Sequence, residues 1–165
     1  MAEAGGEGMA AALLTGTMLS VLGLAASVVL GHMAIAEADI SRHVSLAVFV
    51  TMITLLSHSM LMFYMIGKGK AVREAAAEGG LSPKFAAEVS RVRRPIFSLG
   101  MLAIALTIVA AVIGAGVDTQ VLPSGFHALL GYSAVASNVA ALRVEYIALA
   151  TSARIVDEVN RLLDA

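Results

Sequence analysis

The chain has 165 residues, a net charge of −1, 59% hydrophobic and 14% charged residues, and no cysteine. Soluble domains carry about one-quarter charged residues, so this composition excludes an ordinary water-soluble fold and implies lipid as the solvent, with no nucleic-acid partner. The lack of cysteine excludes disulfides, thiolate-held iron–sulfur clusters and covalent c-type haem, so any metal or haem must be held by His, Met or carboxylates.

Charge is segregated along the chain. Residues 8–36, 44–67, 95–117 and 119–142 contain no Asp, Glu, Lys or Arg, in runs of 29, 24, 23 and 24 residues. A bilayer core about 30 Å thick needs about 20 apolar residues in a helix rising about 1.5 Å each, so every run is long enough to cross. The fold class read from this is all-α: one domain forming an integral membrane, up-and-down four-helix bundle with cytoplasmic helical extensions. Spans are expected at about residues 12–36, 44–67, 95–117 and 124–146.

The first run follows Glu3 and Glu7 with no Lys or Arg and exceeds a signal-peptide apolar region, so it reads as a permanent helix. Gly16, Ser20, Gly23, Ser27 and Gly31 fall on one face of it, a small-residue surface for close helix packing, within the bundle or in a homo-oligomer. The second run places His43, Ala47, Thr51, Thr54 and His58 on one face, which must point into the bundle.

After it, Lys68, Lys70, Arg73, Lys84, Arg91, Arg93 and Arg94 mark residues 68–94 as cytoplasmic. Residues 68–78 and 83–94 read as a helical hairpin broken at Gly79-Gly80, with Ser82 as N-cap and Pro83 at the first helical position.

The third run repeats the small-residue pattern more weakly with Gly100, Thr107, Ala111 and Gly114. In the fourth, His127, Gly131, Ala134, Asn138, Ala141 and Glu145 form a line that could face the polar stripe of the second. Beyond it, Ile147, Ile155, Val159 and Leu162 make one apolar stripe, giving a cytoplasmic helix over residues 147–165. The basic loop and Arg143, Arg154 and Arg161 put both termini inside a multi-pass protein of the plasma (inner) membrane. No internal repeat is legible in the residues, so a transporter of inverted repeats lacks its usual pointer.

All four histidines sit in or at the edge of these runs, where an ionisable side chain is expensive and marks a functional site by default. His32, His43 and His127 share the outer level with Glu37, Asp39 and Asp118, and Asp39 lies one helical turn before His43. Imidazoles and carboxylates together suit copper, iron or zinc, so His32, His43, His127, Asp39 and Glu37 are the candidate metal ligands. His58 lies about 22 Å deeper and is the candidate axial ligand of a haem b within the bundle. Thr51, Thr54, Asn138, Arg143 and Glu145 form a polar thread towards it.

The nine methionines read as core filling, and Gly67-Lys68-Gly69-Lys70 lacks the first glycine and the preceding strand of a phosphate loop. No nucleophile–base pairing is legible, so the chain is not expected to be an enzyme on its own. The leading expectation is a small membrane protein binding a haem or metal ion through bundle histidines, as a redox or metal-handling subunit. Its closest rival has no cofactor and is a structural subunit of a larger membrane complex. A proton or small-solute carrier is the third reading.

Overall fold

The computed structural model describes residues 2–164, and the side-chain surroundings of residues 2–7 and 118 lie outside what it describes. The expectations placed on Glu3, Glu7 and Asp118 therefore have no structural counterpart here.

Four helices make up the chain: α1 (Ala2–Met33), α2 (Glu37–Glu78), α3 (Lys84–Asp118) and α4 (Ser124–Leu163). Each packs on the next in chain order, α4 returns to α1, and α2 also touches α4. Three helices, α1 from Gly8, α2, and α3 up to Val117, are long and apolar enough to cross a membrane. The fourth falls short of them because His127, Ser133, Ser137 and Asn138 dilute its apolar stretch, although residues 119–142 carry no formal charge.

α1 ends at Met33, before the expected boundary, because α2 starts at once after an extended Ala36. At the opposite end the chain reverses at Gly79-Gly80, where Gly80 has φ +64°, a left-handed conformation natural to glycine. There the Leu81 N–H donates to the Ala76 carbonyl at 2.8 Å and so closes α2. Lys84 N–H finds the Ser82 hydroxyl at 3.3 Å, and α3 then runs through Pro95 without interruption. Two clusters fill the interior of this half: Leu13, Leu61, Met62, Met65, Ile96 and Ala148, and beyond it Val72, Phe85, Val89, Ile155 and Val159.

A correction to the sequence reading emerges from burial. The buried residues Leu13, Thr17, Ser20, Leu24 and Ser27 of α1 fall at one constant offset from the buried Ile96, Gly100, Ala103, Thr107 and Ala110 of α3. Val50, Thr54, Ser57 and Leu61 of α2 likewise match Ala134, Asn138, Ala141 and Glu145 of α4. Past one residue's slip, Met65, Val72 and Ala76 match Ala148, Ile155 and Val159. The α1–α2 and α3–α4 hairpins are thus two copies of one packing plan. Residue identity hides it, because a buried helix position specifies size and shape, and many small or apolar side chains satisfy it.

The small-residue face of α1 is spent inside this plan. A side chain added at Gly16 would strike Ser57, one at Gly23 would strike Val50, and one at Gly31 would strike the His43 ring, while Ser20 and Ser27 are buried. It packs against α2. The outward faces instead carry large apolar side chains, including Leu22, Val29, Phe49, Met52, Phe63, Met101, Val112, Leu129 and Val139.

Candidate functional site

The two hairpins bring one histidine each to a common point. The His43 ring of α2 lies over Gly31 of α1, and its Nδ1–H donates to the Ser27 carbonyl at 2.9 Å. The His127 ring of α4 lies over Gly114 of α3, and its Nδ1–H donates to the Ala110 carbonyl at 3.1 Å. In each case the accepting carbonyl stands one turn before the glycine that makes room for the ring. Each such bond fixes the tautomer: the proton sits on Nδ1, and Nε2 keeps a lone pair. The two rings face each other edge-on, with centroids 5.8 Å apart. Both line a cavity of about 540 Å³, together with Ser27, Thr51, Thr107 and apolar residues of all four helices.

Of the remaining residues proposed as metal ligands, His32 also lines this cavity, whereas Asp39 and Glu37 do not. His32 is exposed on α1, where its Nδ1–H donates to the Val28 carbonyl at 3.0 Å and its Nε2 accepts the Tyr132 hydroxyl at 2.9 Å. Both ring nitrogens are occupied. Asp39 pairs with Arg42 at 3.6 Å and accepts the Ala36 N–H at 3.4 Å, so it serves the start of α2. Glu37 is exposed. Among the described residues, no group of three or more His, Cys, Asp or Glu side chains could hold a metal ion.

Deeper in the bundle, α2 and α4 meet through a fully buried polar cluster. His58 Nδ1 lies 2.6 Å from Glu145 Oε1, and His58 Nε2 lies 2.9 Å from Asn138 Oδ1. His58, Asn138 and Glu145 each have 0% exposure. The orientation of Asn138 follows from its neighbours, because its amide nitrogen donates to the Ala134 carbonyl at 2.8 Å and the Thr107 hydroxyl at 3.2 Å. Its oxygen must then accept from His58 Nε2–H. One proton is left for the short His58–Glu145 contact, giving either imidazolium and carboxylate or imidazole and carboxylic acid, both neutral overall. The second carboxyl oxygen, Glu145 Oε2, is buried and has no hydrogen-bond partner.

With both nitrogens engaged, His58 offers no lone pair to haem iron, and the axial-ligand expectation gives way to a hydrogen-bonded role. The polar thread is also shorter than expected. Thr54 turns its hydroxyl back to the Val50 carbonyl at 2.8 Å, and Thr51 lines the cavity above. Arg143 is exposed while Glu145 is buried, since residues two apart lie on different helix faces and do not pair.

Sequence reasoning missed two members of these networks, Thr107 and Tyr132. Thr107 was legible as part of a small-residue face on α3, but its spacing alone did not reveal the cluster it joins. Comparison of the chain with family models, with curated proteins and with solved structures finds no match.

Proposed function

We propose that this is a small integral membrane protein of four crossing helices that binds a transition-metal ion between His43 and His127. Three observations support the fourth crossing. Residues 119–142 are free of formal charge, α4 packs on α3 and α1, and Phe126, Leu129, Tyr132 and Val139 turn outward. His127, Ser137 and Asn138 point inward, where a bundle in lipid must keep polar side chains. The basic residues between α2 and α3 put that turn, and with it both termini, on the cytoplasmic side.

The observation that carries the metal reading is the paired clasp of the two imidazoles. Histidines that bind metal donate the far ring N–H to a carbonyl or carboxylate, which leaves the other nitrogen free and oriented. His43 and His127 both do this, on carbonyls from opposite helices. The two ring centroids lie 5.8 Å apart, close enough for one ion to reach both imidazoles. Imidazole suits copper, iron and zinc, and the cavity leaves further coordination positions to water or a small solute.

The experiment is metal analysis and visible spectroscopy of the protein extracted gently from its membrane. About one copper, iron or zinc per chain is expected, falling towards zero in both His43→Ala and His127→Ala and unchanged in His32→Ala. Haem bands lost in the same two variants would identify iron in a porphyrin as the ligand. A clean protein with neither metal nor visible absorbance sinks this reading and leaves a structural subunit of a larger complex.

A further inference from the structure

The cluster beneath the cavity plays no part in holding a metal ion, yet His58 and Glu145 are the ionisable side chains that are fully buried among the described residues. An apolar pair of similar volume would hold α2 to α4 as well as a buried ion pair does, or better. A bonded histidine also explains only one oxygen of Glu145, and the orphaned Oε2 adds a penalty of its own. Ionisable groups kept inside a membrane at such cost mark ion or proton pathways.

We propose that His58 and Glu145 form a proton-binding site that exchanges its proton with the cavity above and clasps α2 to α4 only while the proton is present. The geometry requires one proton in the 2.6 Å contact. When it leaves, the Nδ1 lone pair opposes a carboxylate oxygen, and the two must separate. No electron moves and no other bond changes; the proton passes to water.

The link to the cavity is structural. Ala134 and Thr107, the two acceptors that orient Asn138, both line the cavity, so its floor is the upper edge of the proton site. His43 and His127, on the same two helices, stand above it. Among the described residues, the pair has no third charged partner within hydrogen-bonding distance. α1 and α3 contribute no Asp, Glu, Lys or Arg over residues 8–36 and 95–117, and His32 on α1, exposed, lines the cavity with both ring nitrogens engaged. On α2 the next titratable group is the half-buried Tyr64, and on α4 Arg143 and Tyr146 are exposed. The proton count of the pair therefore sets the charge at this level.

The test uses the full chain in lipid vesicles, stripped of metal so that it is independent of the metal-ion reading. Infrared difference spectra are recorded over about pH 4 to 9, the interval in which carboxyl and imidazole groups titrate. Spin labels at Val48 and Val139, both exposed on α2 and α4, report helix separation. A carboxyl band and the label distance are expected to change at one common pH midpoint. Both changes should be lost in Glu145→Gln and in the apolar double variant His58→Leu/Glu145→Leu, while His43→Ala/His127→Ala keeps them. The idea is overturned if no carboxyl band titrates, if the band survives in the double variant, or if the label distance ignores pH.

Discussion

The α1–α2 and α3–α4 hairpins share a burial pattern over residues 13–27 and 50–76 against 96–110 and 134–159, but they treat it differently at one level. Near the cavity they make the same clasp: Gly31 and Gly114 each receive a histidine ring, from His43 and His127, whose Nδ1–H reaches the carbonyl one turn back. Deeper in, they diverge. Thr54 of the first hairpin corresponds to Asn138 of the second, and Leu61 corresponds to Glu145. His58 has Leu142 as its counterpart, by the same offset. The shared positions make the scaffold and the paired imidazoles, and the unshared ones make the polar cluster. Since the apolar version at each position already exists in the other hairpin, packing alone does not demand His58 or Glu145.

The largest expected effect comes from restoring that agreement in one hairpin only. His58→Leu removes the partner of Glu145 and leaves a fully buried carboxyl uncompensated, a loss of about 3–5 kcal/mol. Making both His58→Leu and Glu145→Leu gives each hairpin the other's apolar residue and should recover most of that loss. Unfolding of the three proteins in mixed micelles measures it. A double variant as unstable as the single one would mean that the cluster is required by the packing itself, and the division into scaffold and polar cluster would fail.

A smaller effect tests the level at which the hairpins agree. A Cβ at Gly31 would lie 2.9 Å from His43 Cε1, and one at Gly114 would lie 2.9 Å from His127 Cε1. Gly31→Ala and Gly114→Ala should each displace a ring from its carbonyl, at about 1–3 kcal/mol from overpacking, offset in part by the better helix propensity of alanine, about 1 kcal/mol. The two losses should be equal, and each variant should lose bound metal. Unequal losses would show that only one clasp bears on the fold.

These contrasts also explain what was readable beforehand. Helix number followed from the charge-free runs, because about 20 consecutive residues without formal charge is the length a membrane-crossing helix needs, and that pattern is written in plain residue types. The face of α2 bearing His43, Thr51 and His58 was readable from helical spacing, as was the α4 line through His127, Asn138 and Glu145. Which members of those lines touch was not readable. Spacing fixes depth along one helix only, and partner choice depends on rotation about two axes. Hence His32, at the right depth, is turned to Tyr132, and Arg143, beside Glu145 in sequence, lies on another face. The duplication stayed hidden for the opposite reason: its signal is burial, which is a property of neighbours.

The smallest expected effect concerns the outer turns, where the hairpins solve one problem in two ways. A helix start leaves backbone N–H groups without partners. At the start of α2 the Ala36 N–H finds Asp39 Oδ2 at 3.4 Å, and Arg42 steadies the carboxylate. At the start of α4 the N-cap position is held by Pro123, which has no N–H to satisfy. Asp39 is therefore tied to a duty that proline performs in the other hairpin, and its carboxylate is held away from the two imidazoles. Asp39→Ala should cost about 0.5–1 kcal/mol, from the lost contact and the lost negative charge at a helix N-terminus. Metal occupancy should stay at the wild-type level, because His43 keeps its bond to Ser27 and His127 its bond to Ala110. Equilibrium dialysis against the metal, beside the same unfolding measurement, separates the two effects. A fall in occupancy as large as that of His43→Ala would make Asp39 a third ligand and end the two-imidazole description of the site.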